Sequence, residues 1–140
     1  MYKYTYITQA KREYQYLKER EGIIVICQTS DGYFLLDCIK RKDDLFIDFF
    51  KTLILQHEGP TEALVRIMEE KSILYGEHQH LGKLYPTDGD VSCYHVFLAK
   101  RSTAMAQGLL AMNLENLLSS IERGLLSSDV SKQALVKLLK

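Results

Sequence analysis

The charged residues between Glu58 and Glu70 are the strongest candidates for chemistry in this sequence. A helix is predicted to begin at Gly59-Pro60-Thr61, with Thr61 as its N-cap, and to run to about Lys71. Residues three and four positions apart share one helix face, so one stripe of this helix is charged. The stripe consists of Glu62, Arg66, Glu69 and Glu70. Carboxylates on one face can bind a divalent metal ion, whereas a salt-bridged, solvated face needs no ligand.

Two further acidic residues lie in a loop that is predicted to follow residue 85. Asp88 and Asp90 flank Gly89, and this pattern is typical of a tight turn. The same carboxylates could instead act in catalysis. Both interpretations remain open at this point.

The histidines and cysteines give no sign of a metal site in the sequence. The four histidines show no ligand spacing supported by cysteines or neighbouring acids, and His78-x-His80 is predicted to be an exposed strand edge. The three cysteines lie in apolar or strand-like runs. They are Cys27, Cys38 and Cys93. We expect them to be small core residues, not a disulfide framework, a zinc site or a nucleophile.

The elements that would position these residues follow the order strands, helix, strands, helices. The apolar runs Gly22–Cys27 and Tyr33–Ile39 flank the turn Ser30-Asp31-Gly32, which predicts a β-hairpin. The remaining predicted elements are strands at Tyr2–Tyr6 and Tyr14–Tyr16, a short strand plus a loop in Leu45–Leu55, strands at Leu81–Tyr85 and Tyr94–Ala99, a helix capped by Asn113, and a last helix starting at Ser127-Ser128-Asp129. Helices on both faces of a mixed sheet would bury these patterns, so we predict one α/β domain spanning residues 1–140.

The composition excludes some classes of protein. The number of Lys plus Arg residues (18) equals that of Asp plus Glu (18), so the chain has no surplus of positive charge. Binding to nucleic acid requires such a surplus to neutralise phosphates, so we do not expect a nucleic-acid partner. No stretch approaches the roughly 20 apolar residues that a bilayer span requires. The first residues have no apolar signal core, so we expect a cytoplasmic protein without a membrane partner.

The window His57–Ile73 resembles the Nudix box, a loop–helix–loop motif written G-x5-E-x7-R-E-U-x-E-E-x-G-U, where U is aliphatic. Glu69 and Glu70 match its paired glutamates, and Ile67 and Ile73 match two aliphatic positions. Five other positions depart from the motif. Lys51 stands at the first glycine, His57 at the isolated glutamate, Val65 at the arginine, Arg66 at the next glutamate and Ser72 at the second glycine.

The flanking sequence extends the resemblance over nearly the whole chain. The segments that are similar to ADP-ribose pyrophosphatases of this superfamily are Tyr14-x-Tyr16, Gly22–Val25, Asp31–Leu36, Lys40-Arg41, Leu81–Pro86, His95–Ala99 and Leu117–Leu126. The resemblance implies the Nudix fold, an α/β/α sandwich with a mixed β-sheet and C-terminal helices. It also implies homodimers, for which the tyrosine-rich start is the candidate interface.

The resemblance further implies Mg²⁺ or Mn²⁺ as cofactor and a nucleoside diphosphate derivative as ligand. The candidate site residues are Glu70, Glu69 and Asp90 for catalysis, Arg66, Arg41 and Tyr85 for substrate binding, and Glu69, Glu70 and Glu58 for the metal. Arg66 and Glu58 do not match the motif and are candidates because of their charge and position. Core packing is the alternative for Tyr85. Glutamates at positions i, i+3 and i+4 would hold magnesium, but Arg66 occupies the first of them. The three side chains together carry about −1 instead of −3, because a guanidinium stays charged.

Three functions are compatible with this altered box. The first is a nucleotide-binding protein with impaired or absent hydrolysis, in which Arg66 pairs with the glutamates or binds a diphosphate directly. The second is an active hydrolase of ADP-ribose or another nucleoside diphosphate sugar that uses rearranged ligands from Glu58, His57, Asp88 or Asp90. The third is a non-catalytic assembly subunit, because a fold does not determine an activity.

Overall fold

The computed structural model describes residues 20–140 except Asp88. The predicted strands at Tyr2–Tyr6 and Tyr14–Tyr16 lie outside these residues. The described elements are, in chain order, β1 (Arg20–Gln28), β2 (Phe34–Arg41), β3 (Asp44–Asp48), β4 (Phe50–Leu53), α1 (Pro60–Glu70), β5 (Ile73–Leu74), β6 (Glu77–Leu84), β7 (Val91–Lys100), β8 (Thr103–Ala104), β9 (Leu110–Met112), α2 (Leu114–Glu122) and α3 (Asp129–Leu139).

Seven of these described strands form one mixed sheet. Five of them lie side by side in the order β3, β2, β1, β7, β6, and β1 is parallel to β7 whereas its other pairings are antiparallel. The second edge of β1 is shared, because β4 pairs with its first half and β2 with its last residues. Strand β9 pairs with β2, and the short strands β5 and β8 pair with each other.

The predicted hairpin is confirmed. Cys27 pairs with Leu35 in antiparallel register, and the turn between the strands contains Gly32 in the left-handed region (φ 85°), where glycine is favoured. Every side chain from Ile23 to Cys27 is fully buried, as expected for a strand that is covered on both faces.

The two faces of the sheet have separate cores. One face packs against α1, and its core includes Ile23, Val25 and Phe97. The opposite face packs against α2 and α3, and its core includes Ile24 and Ile26. The predicted α/β fold, a mixed sheet between helices, is therefore confirmed. None of the described helices is long and apolar enough to cross a membrane.

Local details correct two predictions. The segment Leu45–Leu55 holds most of β3 and all of β4 instead of one strand, because Phe49 interrupts the pairing and donates its N–H to the Asp48 carboxylate. Helix α1 is capped by Gly59, and Thr61 lies inside its first turn. The cause is Pro60, which has no N–H to offer and fits the first helical position, so the cap moves one residue ahead of it. The caps of the last two helices, Asn113 and Ser128, agree with the predicted starts.

Candidate functional site

The loop between β4 and α1 brings Glu58 back toward the start of the loop. The Glu58 N–H donates to the Leu55 carbonyl (3.1 Å), and the Leu55 N–H donates to Glu58 Oε1 (3.0 Å). His57, just before it, has a left-handed backbone (φ 67°), which closes the turn. The Gly59 N–H donates to Glu62 Oε1 (3.3 Å), so the helix N-terminus is tied to this loop.

Arg66 is the centre of the site, and its guanidinium group is fully engaged. It forms a two-pronged pair with the Glu58 carboxylate, with distances of 2.9 Å from Nε and 3.0 Å from Nη2. Nη2 also donates to the Leu53 carbonyl (2.7 Å), and Nη1 reaches Thr52 Oγ1 (3.3 Å) and Glu70 Oε1 (3.4 Å). A guanidinium has five N–H donors, so each of them has an acceptor here.

Each residue of the Arg66–Glu58 pair stabilises the charged form of the other. The two hydrogen bonds from Arg66, followed by the one from the Leu55 N–H, hold the pKa of Glu58 below its usual value despite some desolvation. The same contact with Glu58 raises the pKa of Arg66. The side chains are only 14% (Glu58) and 25% (Arg66) exposed. The pair is therefore a half-buried ion pair and not a loose surface contact.

The paired glutamates at the end of α1 lie in solvent. Glu70 is 55% exposed and reaches only Arg66, while Glu69 is exposed and has no ion-pair partner among the described residues. Within residues 20–140 apart from Asp88, the carboxylates of Glu58, Glu69 and Glu70 do not converge into a three-ligand group. The predicted pairing of Arg66 with a glutamate on its own helix is present, but its closer partner is Glu58, which precedes the helix.

The other predicted ligand-binding residues lie elsewhere. Arg41 is exposed at the end of β2 and lines a cleft of about 300 Å³ together with Lys51 and Ser128. This cleft lies on the α2–α3 side of the sheet, whereas Arg66 belongs to α1. Tyr85 is 69% exposed, so the alternative of core packing is wrong for this residue. Asp90 is exposed in the loop after it.

A second group of polar side chains, unexpected from the sequence, lies on the α1 face of the sheet. The parallel pairing of β1 with β7 places Glu21 beside Cys93, and His95 follows two residues later on the same face. Cys93 Sγ lies 3.4 Å from Glu21 Oε1, and His95 Nε2 lies 3.3 Å from Glu21 Oε2. On the other side of the imidazole, His95 Nδ1 lies 3.1 Å from His80 Nε2. We call these four residues the strand cluster.

The strand cluster corrects the prediction that no histidine has a cysteine and an acid beside it. His78 and His80 are exposed on the edge strand β6, as predicted, and Cys93 is buried, as predicted. His95 does have a cysteine and an acid beside it, and the acid comes from a strand 74 positions earlier in the sequence. The spacing Cys93-x-His95 was the available signal, since alternate residues of a strand share a face. Cys27, in contrast, is fully buried in the core, as predicted, and burial raises the pKa of its thiol to about 12.

Burial shifts the pKa values of three residues in the strand cluster, and neighbouring groups reverse that shift at Glu21. Desolvation alone would raise the pKa of Glu21, but hydrogen bonds from His95 and Cys93 and the charges of His95 and Lys83 outweigh it and lower that pKa. Desolvation, together with nearby positive charge, lowers the pKa of His80. Desolvation, followed by the hydrogen bond to Glu21, raises the pKa of the Cys93 thiol. The carboxylate is therefore ionised near neutral pH, and the thiol keeps its proton.

Comparisons with known proteins identify the fold but no family. No protein-family model matches the chain, and no curated protein matches it in sequence. Among solved structures, the chain is similar to an ADP compounds hydrolase, with a TM-score of 0.70 and 17% identity over 85% of this chain and 70% of that one. It is also similar to DR0079 from Deinococcus radiodurans, with a TM-score of 0.62 and 16% identity over 84% and 81% of the two chains. The chain therefore has a Nudix-like fold, similar to that of an ADP compounds hydrolase.

Proposed function

We propose that this protein is a Nudix-fold protein that binds a nucleoside diphosphate derivative and hydrolyses it poorly or not at all. The expectation of poor hydrolysis rests on the Arg66 guanidinium. It stands at a glutamate position of the box and is held there by five acceptor contacts. The expectation that the protein binds a nucleoside diphosphate derivative is supported by the similarity of its fold to that of an ADP compounds hydrolase.

The backbone supports the alignment of this segment with the box. Ser72, which stands at the motif's second glycine, has a left-handed conformation with φ 55°. That conformation is the physical reason for a glycine at such a position. Ile67 and Ile73, at the two aliphatic positions, are buried in the core under α1, and both paired glutamates are exposed.

The ion pair explains why metal binding at this helix should be weak. Magnesium requires several hard oxygen ligands, yet Glu58 accepts two hydrogen bonds from Arg66 and Glu70 accepts a longer one. A divalent ion would have to displace the guanidinium from both carboxylates. It would then lie beside a fixed positive charge that cannot be removed by deprotonation.

The same contacts bear on where a diphosphate would bind. Arg66 would have to leave Glu58 before its planar fork could bind a phosphate, since none of its N–H groups lacks an acceptor. Arg41 and Tyr85 are exposed and need no such rearrangement. We therefore expect Arg41→Ala to weaken nucleotide binding more than Arg66→Ala does, when both variants are folded.

The direct test offers ADP-ribose and related nucleoside diphosphate sugars to the purified protein with Mg²⁺ or Mn²⁺. Turnover and thermal stability are measured in parallel, because a ligand that binds only the folded state raises the unfolding temperature. The expected result is stabilisation without metal-dependent turnover. Turnover that disappears in Glu70→Gln contradicts the proposal and supports an active hydrolase. Failure of every nucleotide to bind leaves the fold with an assembly role.

A second test reverses the substitution at the box. Arg66→Glu restores the family residue at position i of the i, i+3, i+4 set, and Arg66→Gln is the matched control that removes the charge without adding a carboxylate. We expect Mn²⁺ affinity to rise at least about tenfold in Arg66→Glu relative to Arg66→Gln, because three carboxylates then share one helix face. Equal affinity in the two variants would mean that damage to the box extends beyond this position.

A further inference from the structure

The geometry points to a binding site for a zinc-class transition-metal ion formed by Glu21, Cys93 and His95, with His80 orienting the histidine. This site is separate from the box, so the proposal of a metal site does not depend on whether the protein binds a nucleotide. Carboxylate, thiolate and imidazole are three of the ligand types that proteins use for zinc. Among the described residues, they form the one three-ligand group whose donor atoms all lie within 4.8 Å of one another.

The donor atoms lie close to the separations that a tetrahedral ion requires. With zinc–ligand bonds of about 2.0–2.3 Å, neighbouring donor atoms in a tetrahedron lie roughly 3.3–3.8 Å apart. The nitrogen of His95 is 3.3 Å from one oxygen of Glu21, and the sulfur of Cys93 is 3.4 Å from the other. A single ion would take one of these two oxygens, so we infer that side-chain rotations, without movement of the strands, bring the three donors, which lie within 4.8 Å of one another, to the ion.

The strands hold the ligands rigidly. Cys93 and His95 are both buried and lie on the interior strand β7, while Glu21 is paired beside Cys93 on β1. His80, on the edge strand β6, meets the far nitrogen of the His95 ring at 3.1 Å. A metal at His95 Nε2 requires the proton on Nδ1, and His80 Nε2 is placed to accept it. A hydrogen bond of this kind is the usual outer support of a histidine ligand.

The site has room for a fourth ligand and a preference for a class of ion. The Glu21 side chain is 41% exposed, whereas that of His95 is 9% exposed, so the cluster is closed on the protein side and open at the carboxylate. Three protein ligands leave a position for water. The sulfur and the imidazole favour Zn²⁺ over Mg²⁺, and the ion replaces the proton on the Cys93 thiol as it binds. The nearby charge of Lys83 opposes the cation.

Cobalt titration of the chelator-treated, full-length protein tests this site. Co²⁺ in place of zinc gives visible absorption bands that are intense in a tetrahedral site, and a near-ultraviolet band when sulfur is a ligand. We expect both sets of bands to saturate at one ion per chain and to disappear on addition of Zn²⁺. Cys93→Ser should abolish the sulfur band, while Cys38→Ser, the matched control outside the cluster, should leave it unchanged.

The role of His80 has a separate readout. His80→Gln should weaken Co²⁺ binding about tenfold to a hundredfold but keep the sulfur band, because His80 supports a ligand without being one. His78→Gln, on the same strand, is its control and should bind as the wild type does. Loss of the sulfur band in His80→Gln would contradict this role.

Zinc X-ray absorption of Cys38→Ser keeps the proposal testable if Cys93→Ser fails to fold. The expected spectrum contains one sulfur at about 2.3 Å and nitrogen or oxygen ligands at about 2.0–2.1 Å. A weak octahedral cobalt spectrum without a sulfur band overturns the proposal. A zinc shell made only of oxygen and nitrogen overturns it as well.

Discussion

The contact between Arg66 and Glu58 leads to a quantitative prediction for Arg66→Met. Methionine retains much of the apolar stem of arginine. It leaves the Glu58 carboxylate, which is 14% exposed, with the Leu55 N–H as its one remaining partner among the described residues. Removing one partner of a fully buried ion pair costs about 3–5 kcal/mol, whereas exposed pairs contribute about 0–1 kcal/mol. The exposure of this pair lies between these limits, so we expect a loss of about 2 kcal/mol in the free energy of unfolding.

Denaturant unfolding and thermal scans measure this loss. For a chain of this length, about 2 kcal/mol corresponds to a fall of roughly 6–8 °C in the unfolding temperature. Lys132→Met is the matched control, because Lys132 contacts Asp129 at only 3.9 Å on the surface of α3. We expect that control to change stability by no more than about 0.5 kcal/mol.

A double-mutant cycle separates the pair from other effects of the substitution. Glu58→Gln, alone and combined with Arg66→Met, gives the coupling energy between the two side chains. The bidentate geometry predicts a coupling of about 1–2 kcal/mol. A coupling below about 0.5 kcal/mol would refute the argument, since Arg66 would then not be held in place by Glu58.

Four further predictions concern other features of the chain. Because the pKa of Glu58 is lowered in the folded protein, its carboxylate stabilises the fold above the ordinary glutamate pKa, and this stabilisation is lost as the pH falls through the folded pKa. Between about pH 6 and about pH 3, the wild type should therefore lose more free energy of unfolding than Glu58→Gln does. Parallel pH profiles of the two proteins would contradict this. Ser72→Gly should raise stability by about 0.5–1 kcal/mol in chemical denaturation, because glycine relieves the left-handed strain; a loss would mean that Ser72 contributes contacts of its own. The Cys27 thiol, with its pKa at about 12, should react with a thiol reagent far more slowly than Cys38 in the native protein, as mass spectrometry after timed labelling can show; equal rates would contradict its burial. The homodimer remains a prediction, and light scattering should show a dimer that dissociates when the residues before Glu13 are removed; a monomer unaffected by the truncation excludes the proposed interface.

The parts of the fold that local sequence signals determine were predictable. The turn Ser30-Asp31-Gly32 and the caps Asn113 and Ser128 are local features, and the hairpin and the last two helices follow from them. The short strands β5, β8 and β9 were not predicted, because a segment of two or three residues is too short to show the alternation of apolar and polar residues that identifies a strand. Their pairing depends on partners that only the complete fold supplies.

In the candidate sites, too, the residues that depend on local sequence were predictable, whereas contacts between distant parts of the chain were not. Arg66, Glu69 and Glu70 were identified from helical spacing, which is a local property. Glu58 as the main partner of Arg66 depends on the path of the loop before the helix, and its contact crosses eight positions of sequence. The strand cluster depends on the parallel pairing of β1 with β7, so Glu21 meets Cys93 across 72 positions and no spacing pattern indicates it.

The most direct test of the central claim is anomalous diffraction from a crystal of the wild-type protein soaked in Mn²⁺. Because the Arg66 guanidinium occupies the place of a carboxylate ligand, we predict no manganese ion against Glu69 and Glu70, and an Arg66–Glu58 pair that stays intact. A fully coordinated manganese ion bound to both glutamates, with Arg66 turned away from Glu58, would contradict the account.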